Sequence, residues 1–250
     1  MNVHARAKNT GSHPADAMTV RVWRGDQTGE FQSFEVPRRE NQTVLDVVTE
    51  IQRTQDATLS YRFACRVGMC GSCAMIVNGR PRWTCRTRVD QLEAGPIRLE
   101  PLRNLPIVKD LAVDMAPFFD KWAAAKGAFT PTATRHDDFA QVEPASQQRR
   151  AIDATIECIG CAVCYASCDV VAWKPAYLGP AALNRAWTLV NDVRDGAGAE
   201  RLRAVSDDAG CQACHTHQSC TERCPKHLTP TAAIAGLKRR VALAAIKGQL

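Results

Sequence analysis

Twelve cysteines in three groups of four constrain this 250-residue chain more than any other feature. The groups are Cys65, Cys70, Cys73 and Cys85; Cys158, Cys161, Cys164 and Cys168; and Cys211, Cys214, Cys220 and Cys224. Residues 1–17 lack the apolar run of a secretory signal, and we expect them to form a disordered leader. Without a secretory signal we expect a reducing compartment, where thiols bind metals more often than they form disulfides. The three groups of cysteines therefore predict metal binding.

The first group has four, two and eleven residues between its successive cysteines. This is the spacing of plant-type ferredoxins, in which four cysteines hold a [2Fe-2S] cluster. Gly68 and Gly71 lie within the loop, where a chain that wraps a cluster must turn sharply and direct N–H groups at sulfur. The group therefore predicts a [2Fe-2S] site.

The second group, CIGCAVCYASC, has the two, two and three intervening residues of bacterial ferredoxins. In two-cluster ferredoxins the fourth cysteine of such a run ligates the other cluster. The same intervals in CHTHQSCTERCP select Cys214, His217, Cys220 and Cys224. The third group is therefore an internal repeat in which histidine replaces one cysteine.

Crossed ligation predicts two unequal clusters. Cys158, Cys161, Cys164 and Cys224 would hold a [4Fe-4S] cluster, and Cys168, Cys214 and Cys220 would hold a [3Fe-4S] cluster. His217 would line the second site, with ligation of a fourth iron as the alternative. Cys211 would be a buried thiol outside both sites, or the partner of Cys214 in a CxxC pair.

A structural zinc site is the alternative from a different class. Cys211, Cys214, Cys220 and Cys224 offer four thiolates at spacings that zinc accepts. This zinc-stabilised binding module would leave the first two groups unexplained, whereas the ferredoxin hypothesis uses eleven of the twelve cysteines.

Hydrophobic periodicity predicts a mixed sheet followed by helices. Residues 18–36 alternate around a turn and predict a β-hairpin, and Asn78-Gly79 predicts a second. Thr43 and Asp46 predict the capped start of a helix with Val44, Val47, Val48 and Ile51 on its apolar face. We expect a first domain at residues 18–110, a connection at 111–150 and an α-helical domain at 151–250, whose helices include AALNRAWTLVNDVRD and TAAIAGLKRRVALAAI.

Composition argues against a membrane-spanning chain and against a nucleic-acid-binding protein. No apolar run approaches the roughly 18 residues that a transmembrane helix needs. The net charge is +6, but the basic residues are scattered and aromatic residues make up 6% of the chain, so we expect no nucleic-acid partner.

The chain resembles the iron-sulfur subunit of the succinate dehydrogenase and fumarate reductase family. The resemblance rests on CRVGMCGSCAMIVNG, VKDLAVDM, CIGCAVCYASC, LGPAAL with NDVRD, and CHTHQSCTERCPKHLTP. It implies an α+β chain with an N-terminal β-grasp [2Fe-2S] ferredoxin-like domain and an α-helical ferredoxin-like domain that holds two further clusters.

The same resemblance implies an electron-transfer subunit of a succinate:quinone oxidoreductase. Single electrons would pass from the FAD of a flavoprotein partner through the [2Fe-2S], [4Fe-4S] and [3Fe-4S] clusters to quinone. A membrane-anchor subunit would hold the complex at the cytoplasmic face of the bacterial inner membrane. Dicarboxylate chemistry would belong to the flavoprotein, and a related complex that acts on another organic acid is the alternative.

Trp173 and His215 match family positions that help to form the quinone pocket. The structural alternative for Trp173 is packing in the core, and that for His215 is a satisfied polar contact at a helix end. Three residues depart from the family pattern: Asp169 replaces a proline, Val67 replaces a common acidic residue, and Cys211 is unexpected. These departures bear on the quinone type, the cluster potential and the preferred direction.

Overall fold

A computed structural model of the chain describes residues 17–250. The expected leader lies outside the described residues, apart from Ala17, which begins the first strand. Within the described part, no helix is both long enough and apolar enough to cross a bilayer.

The N-terminal half contains a five-stranded mixed sheet. Its strands are β1 (Ala17–Arg24), β2 (Glu30–Pro37), β3 (Ala74–Val77), β4 (Arg80–Trp83) and β5 (Ile97–Glu100). The spatial order is β2-β1-β5-β3-β4, with β1 and β5 parallel and the other pairs antiparallel. Met18 pairs with Val36, which confirms the predicted hairpin.

Helix α1 (Val44–Thr54) covers this sheet and begins where the sequence predicts. Thr43 Oγ1 accepts the Asp46 N–H, and the Asp46 carboxylate accepts the Thr43 N–H, so the capping box satisfies two otherwise unpaired donors. Val44, Val47, Val48 and Ile51 are fully buried in a core formed with β1, β3 and β5.

The hairpin between β3 and β4 positions the first cysteine group. Asn78 and Gly79 have φ of 49° and 76°, the pair of positive values that a tight hairpin requires. Cys73 directly precedes β3, and Cys85 follows β4 in a short 3₁₀ turn. The hairpin therefore brings the two ends of the motif together.

The expected connection contains regular structure of its own. A small ribbon, β6 (Ile107–Lys109) and β7 (Ala112–Val113), spans its start at residue 111, α2 (Ala116–Ala124) follows, and α3 (Gln147–Ile152) crosses its end at residue 150. Phe118 in α2 is buried, with its ring edge-on to Tyr165 of the helical half. The segment is therefore packed into the core, and the three domain boundaries stay predictions.

The C-terminal half is helical, as predicted. Its helices are α4 (Val163–Ala166), α5 (Asp169–Trp173), α6 (Gly179–Val190), α7 (Gly198–Ala204), α8 (Ser219–Glu222) and α9 (Pro230–Ile246). Helices α6 and α9 pack closely, since a Cβ on Gly236 would lie 2.6 Å from the Trp187 ring.

Helix α6 ends at Val190, so its predicted continuation through NDVRD is wrong. The polar side chains there bond to nearby backbone: Asn191 Nδ2 donates to the Trp187 carbonyl, and the Arg194 N–H donates to Asp192 Oδ1. Such local bonds compete with helix hydrogen bonds and produce a turn.

Candidate metal centres

The first cysteine group lies on a loop whose N–H groups face sulfur. The N–H groups of Met69, Cys70 and Val67 point at Cys65 Sγ with N···S distances of 3.2, 3.3 and 3.5 Å. The Cys65 N–H likewise lies 3.4 Å from Cys70 Sγ. Several N–H groups around one sulfur suit a negatively charged thiolate better than a neutral thiol.

The pKa values within this loop diverge. The Ser72 side chain, together with the Cys65 and Ser72 N–H groups, lowers the pKa of Cys70 to about 6. Burial raises the pKa of Cys85 to about 12, and the neighbouring Cys73 thiol contributes to that rise. A bound cluster would supply the positive charge that a buried thiolate such as Cys85 requires, so the residues of this group fit a [2Fe-2S] cluster.

The second and third groups adopt matching backbones, which confirms the internal repeat. Gly160 and Thr216 have φ of 65° and 61°, and Ala162 and Gln218 have φ of 61° and 65°. A short helix follows in each copy, α4 in the first and α8 in the second. His217 occupies in the second copy the place that Cys161 occupies in the first.

Two cavities lie between the copies, and each takes cysteines from both. The four-cysteine cavity is lined by Cys158, Cys161, Cys164 and Cys224, together with Ala162, Ala181 and Pro225 among others. The three-cysteine cavity is lined by Cys168, Cys214 and Cys220, together with His217, Tyr177 and Ile234 among others. The last cysteine of each copy therefore lies with the other copy.

Burial dominates the electrostatics of both cavities. It raises the pKa of Cys161 to about 11, and it raises the pKa values of Cys158 and Cys164. Burial also raises the pKa values of Cys168 and Cys220, although the N–H groups at the start of α5 oppose this at Cys168. Several buried thiols around one cavity suit a cationic inorganic core, and the residues present fit iron-sulfur clusters.

Cys211 lies outside both cavities. It is fully buried in a short 3₁₀ turn that corresponds to the turn beginning at Thr155 in the first copy. Cys224 lines a different cavity from Cys214 and Cys220. The four thiols of the zinc alternative therefore do not surround one point.

Aromatic rings besides that of Tyr177 lie at the three-cysteine cavity. Trp173 is 69% exposed and lies edge-on to His217, with ring centroids 5.8 Å apart. The His215 ring is 6.2 Å from that of His217, and His215 and Asp169 also line the cavity. Both predicted quinone residues are thus at the same site, and their role stays a prediction.

Comparisons with known proteins agree with this architecture. Residues 19–120 match the family described as a 2Fe-2S iron-sulfur cluster binding domain, and residues 154–228 match a 4Fe-4S dicluster domain. The chain is 38% identical to the fumarate reductase iron-sulfur subunit of Mycobacterium tuberculosis, over 87% of this chain and 88% of that protein. It belongs to the succinate dehydrogenase and fumarate reductase iron-sulfur subunit family.

Two further family members support the assignment. The succinate dehydrogenase iron-sulfur subunit of Paracoccus denitrificans is 35% identical, over 95% of this chain and 94% of that protein. A chain of the Mycobacterium smegmatis Sdh1 complex superimposes with a TM-score of 0.81 at 31% identity, covering 90% of this chain and 95% of that chain. The predicted fold class and cluster types are confirmed, whereas the residue-level ligand sets stay predictions.

Sequence reasoning missed three residues beside the cysteines of this family member. Thr231 Oγ1 lies 3.4 Å from Cys220 Sγ, Tyr177 is buried against the three-cysteine cavity, and Trp83 is buried near Cys161. A threonine in the first turn of the helix after the third group is a usable signal for Thr231. Neither Tyr177 nor Trp83 belongs to a spaced motif, so only tertiary structure reveals them.

Proposed function

We propose that the chain holds three iron-sulfur clusters and transfers single electrons between a flavoprotein subunit and membrane quinone. The observation that carries this proposal is the pair of cavities that take cysteines from both copies of the repeat. Such clusters exchange one electron at a time and so connect two-electron flavin chemistry to stepwise quinone chemistry.

In this proposal Cys65, Cys70, Cys73 and Cys85 bind the [2Fe-2S] cluster. Cys158, Cys161, Cys164 and Cys224 bind the [4Fe-4S] cluster, and Cys168, Cys214 and Cys220 bind the [3Fe-4S] cluster. The absence of a fourth cysteine from the three-cysteine cavity supports the three-iron assignment, because histidine is a minority ligand in such clusters.

The flavoprotein partner would cover the first cysteine loop. Val67 and Met69 are 61% and 66% exposed on this loop, next to Cys65, and Phe63 is 40% exposed. Exposed apolar side chains around a redox centre favour a contact that excludes water. The partner's FAD would then exchange electrons with this end of the chain.

Quinone would react beside the three-cysteine cavity. Trp173 offers an exposed aromatic face there, and His215 offers a ring nitrogen for a hydrogen bond to a quinone oxygen. A membrane-anchor subunit would complete this pocket and attach the complex to the cytoplasmic face of the bacterial inner membrane.

Metal analysis of the complex, purified anaerobically through a tag on this chain, tests the cluster assignment. We expect about nine irons per chain, with acid-labile sulfide, and a three-iron signal in the electron paramagnetic resonance (EPR) spectrum of the oxidised protein. Cys214→Ser should abolish the three-iron signal, whereas the matched Cys211→Ser should retain it. Zinc without sulfide would overturn the cluster assignment.

A coupled assay of the same complex tests the substrate. We expect succinate to reduce a water-soluble quinone analogue, and Cys164→Ser to abolish this reaction. A flavoprotein that co-purifies but oxidises a different organic acid would replace the succinate assignment with the alternative and leave the clusters in place.

A further inference from the structure

Trp83 is a rigidly held tryptophan between the first cysteine loop and the four-cysteine cavity. It ends strand β4, pairs in register with Ala74, and is 5% exposed. Its carbonyl accepts the Thr87 hydroxyl at 2.8 Å. A Cβ on Gly68 would lie 3.5 Å from the Trp83 ring, so the ring lies against the loop that carries Cys65 and Cys70.

The indole N–H of Trp83 is buried without a hydrogen-bond partner. By contrast, Trp23 donates to the Asp26 carbonyl at 3.0 Å, and Trp187 donates to the Ala151 carbonyl at 2.9 Å. A buried N–H group normally finds an acceptor, because leaving it unpaired is unfavourable. The unpaired donor therefore indicates an acceptor that is incomplete in the protein alone.

The Cys161 sulfur, in the adjacent four-cysteine cavity, is a candidate acceptor. The Trp83 side chain acts on this thiol to lower its pKa, against the larger opposing effect of burial. Strand β4, which ends at Trp83, packs against α4, the helix that begins two residues after Cys161. A thiolate bound to iron is a stronger acceptor than a thiol, so ligation would favour the bond.

The main chain around this contact is closely packed. A Cβ on Gly71 would lie 2.3 Å from Cys161 Cβ, so the first cysteine loop touches the four-cysteine cavity directly. Trp83 lies at the same junction, with its ring against the first cysteine loop.

We propose that Trp83 is a potential-tuning residue whose indole N–H donates a hydrogen bond to the Cys161 thiolate of the [4Fe-4S] cluster. The proposal rests on the ligand assignment given above. A reduced cluster carries one more negative charge than an oxidised one, so the N–H stabilises the reduced form more. Trp83 therefore raises the reduction potential of this cluster above the value that it would have without the hydrogen bond.

Trp83→Phe in the assembled complex tests the proposal, because it keeps an aromatic ring and removes the N–H. Redox titration followed by EPR should show the one-electron reduction equilibrium of the [4Fe-4S] cluster shifted three- to tenfold toward the oxidised form. The upper limit corresponds to a potential lower by about 59 mV. Trp23→Phe, which loses an N–H bonded to a turn carbonyl, is the matched control and should leave the potential unchanged.

A measurement on the wild-type complex covers the case in which Trp83→Phe does not assemble. With tryptophan labelled with ¹⁵N in the indole ring, pulsed EPR of the reduced [4Fe-4S] cluster should detect a ¹⁵N hyperfine coupling. An unchanged potential in Trp83→Phe, or no ¹⁵N coupling in the wild type, would overturn the role of Trp83 and leave the ligand assignment intact. Absence of any four-iron cluster in the wild type would instead overturn both.

Discussion

At the scale of single residues, Gly71 shows why the first cysteine loop contains glycine. It combines a φ of +70° with a close approach to Cys161. A side chain there would meet both backbone strain and a steric clash, because the left-handed region is costly for residues with a Cβ. Gly71 therefore permits the contact between the first two cysteine sites.

Gly71→Ala should destabilise the protein more than Gly79→Ala. Gly79 has a similar φ of +76° but open space around its Cβ position, so it isolates the cost of backbone strain, about 1–2 kcal/mol. Gly71→Ala adds the 2.3 Å clash with Cys161 and should also lower the iron content. Thermal unfolding midpoints and iron analysis measure both effects, and equal midpoints for the two variants would contradict the explanation.

His217 occupies the repeat position where the first copy has Cys161. Because the backbone on either side matches, His217→Cys should supply a fourth thiolate to the three-cysteine cavity. We expect about ten irons per chain instead of about nine, and loss of the three-iron EPR signal from the oxidised protein.

His217→Ala is the control for that change, and it should retain the three-iron signal. A wild-type protein that lacks this signal and acquires it in His217→Ala would show that His217 ligates a fourth iron.

At the scale of elements, a buried ion pair and its hydrogen bonds connect residues 128–130 to the turn after α6. Asp195 and Arg201 side chains are 0% and 1% exposed and lie 2.5 Å apart. Asp195 also accepts the N–H groups of Thr130 and Ala197, and Arg201 donates to the Ala128 carbonyl. Both charged groups are therefore hydrogen-bonded within the protein as well as paired with each other.

Asp195→Asn should lower the free energy of unfolding by about 3–5 kcal/mol, because it leaves the Arg201 charge buried without its partner. Glu200→Gln is the matched control, since the exposed Lys126–Glu200 pair joins nearby parts of the same two segments. It should have little measurable effect, as solvent screens such pairs. Anaerobic chemical denaturation compares the two, and similar losses would refute this account.

At the scale of the whole molecule, the chain has two hydrophobic cores with different relations to the cysteines. One core, between α1 and the sheet, includes Val20, Val48 and Leu99 but no cysteine. The other spans both halves and includes Cys73 and Cys85 among its buried residues, with Cys161, Cys164, Cys168 and Cys214 packed against it. Cluster binding should therefore contribute unequally to the stability of the two parts.

Removing the clusters with acid and a chelator should loosen the helical half before the sheet. The free energy of metal binding contributes to the free energy of folding. Removal of iron therefore leaves the buried thiols without the positive charge that they bind. Hydrogen exchange followed by mass spectrometry should show amides of α4, α8 and α9 losing protection while those of β1 and β5 keep it. Uniform loss of protection across the chain would contradict this two-core description.

Local signals in the sequence predicted much of this molecule. Two of these signals are short-range: the capping box at Thr43 and the Asn78-Gly79 turn each involve residues that are close in sequence. The cysteine intervals, together with the crossing of the fourth cysteine, predicted the same two groups of cysteines that line the two cavities. The burial of Trp83 between the first cysteine loop and α4 depends on packing between residues far apart in sequence, which no local pattern encodes. Helix α6 ends at Val190 because the side chains of Asn191 and Asp192 form hydrogen bonds with nearby backbone groups.

The crossing of cysteines between the two copies also affects biosynthesis. Cys224 emerges from the ribosome 60 residues after Cys164, yet both line the same cavity. A nascent chain that has released only the first copy cannot enclose this site, because one of its four sulfurs has not yet been made. Metal loading of the helical half would therefore have to follow synthesis of the second copy, and a product truncated before Cys214 would lack both enclosed sites.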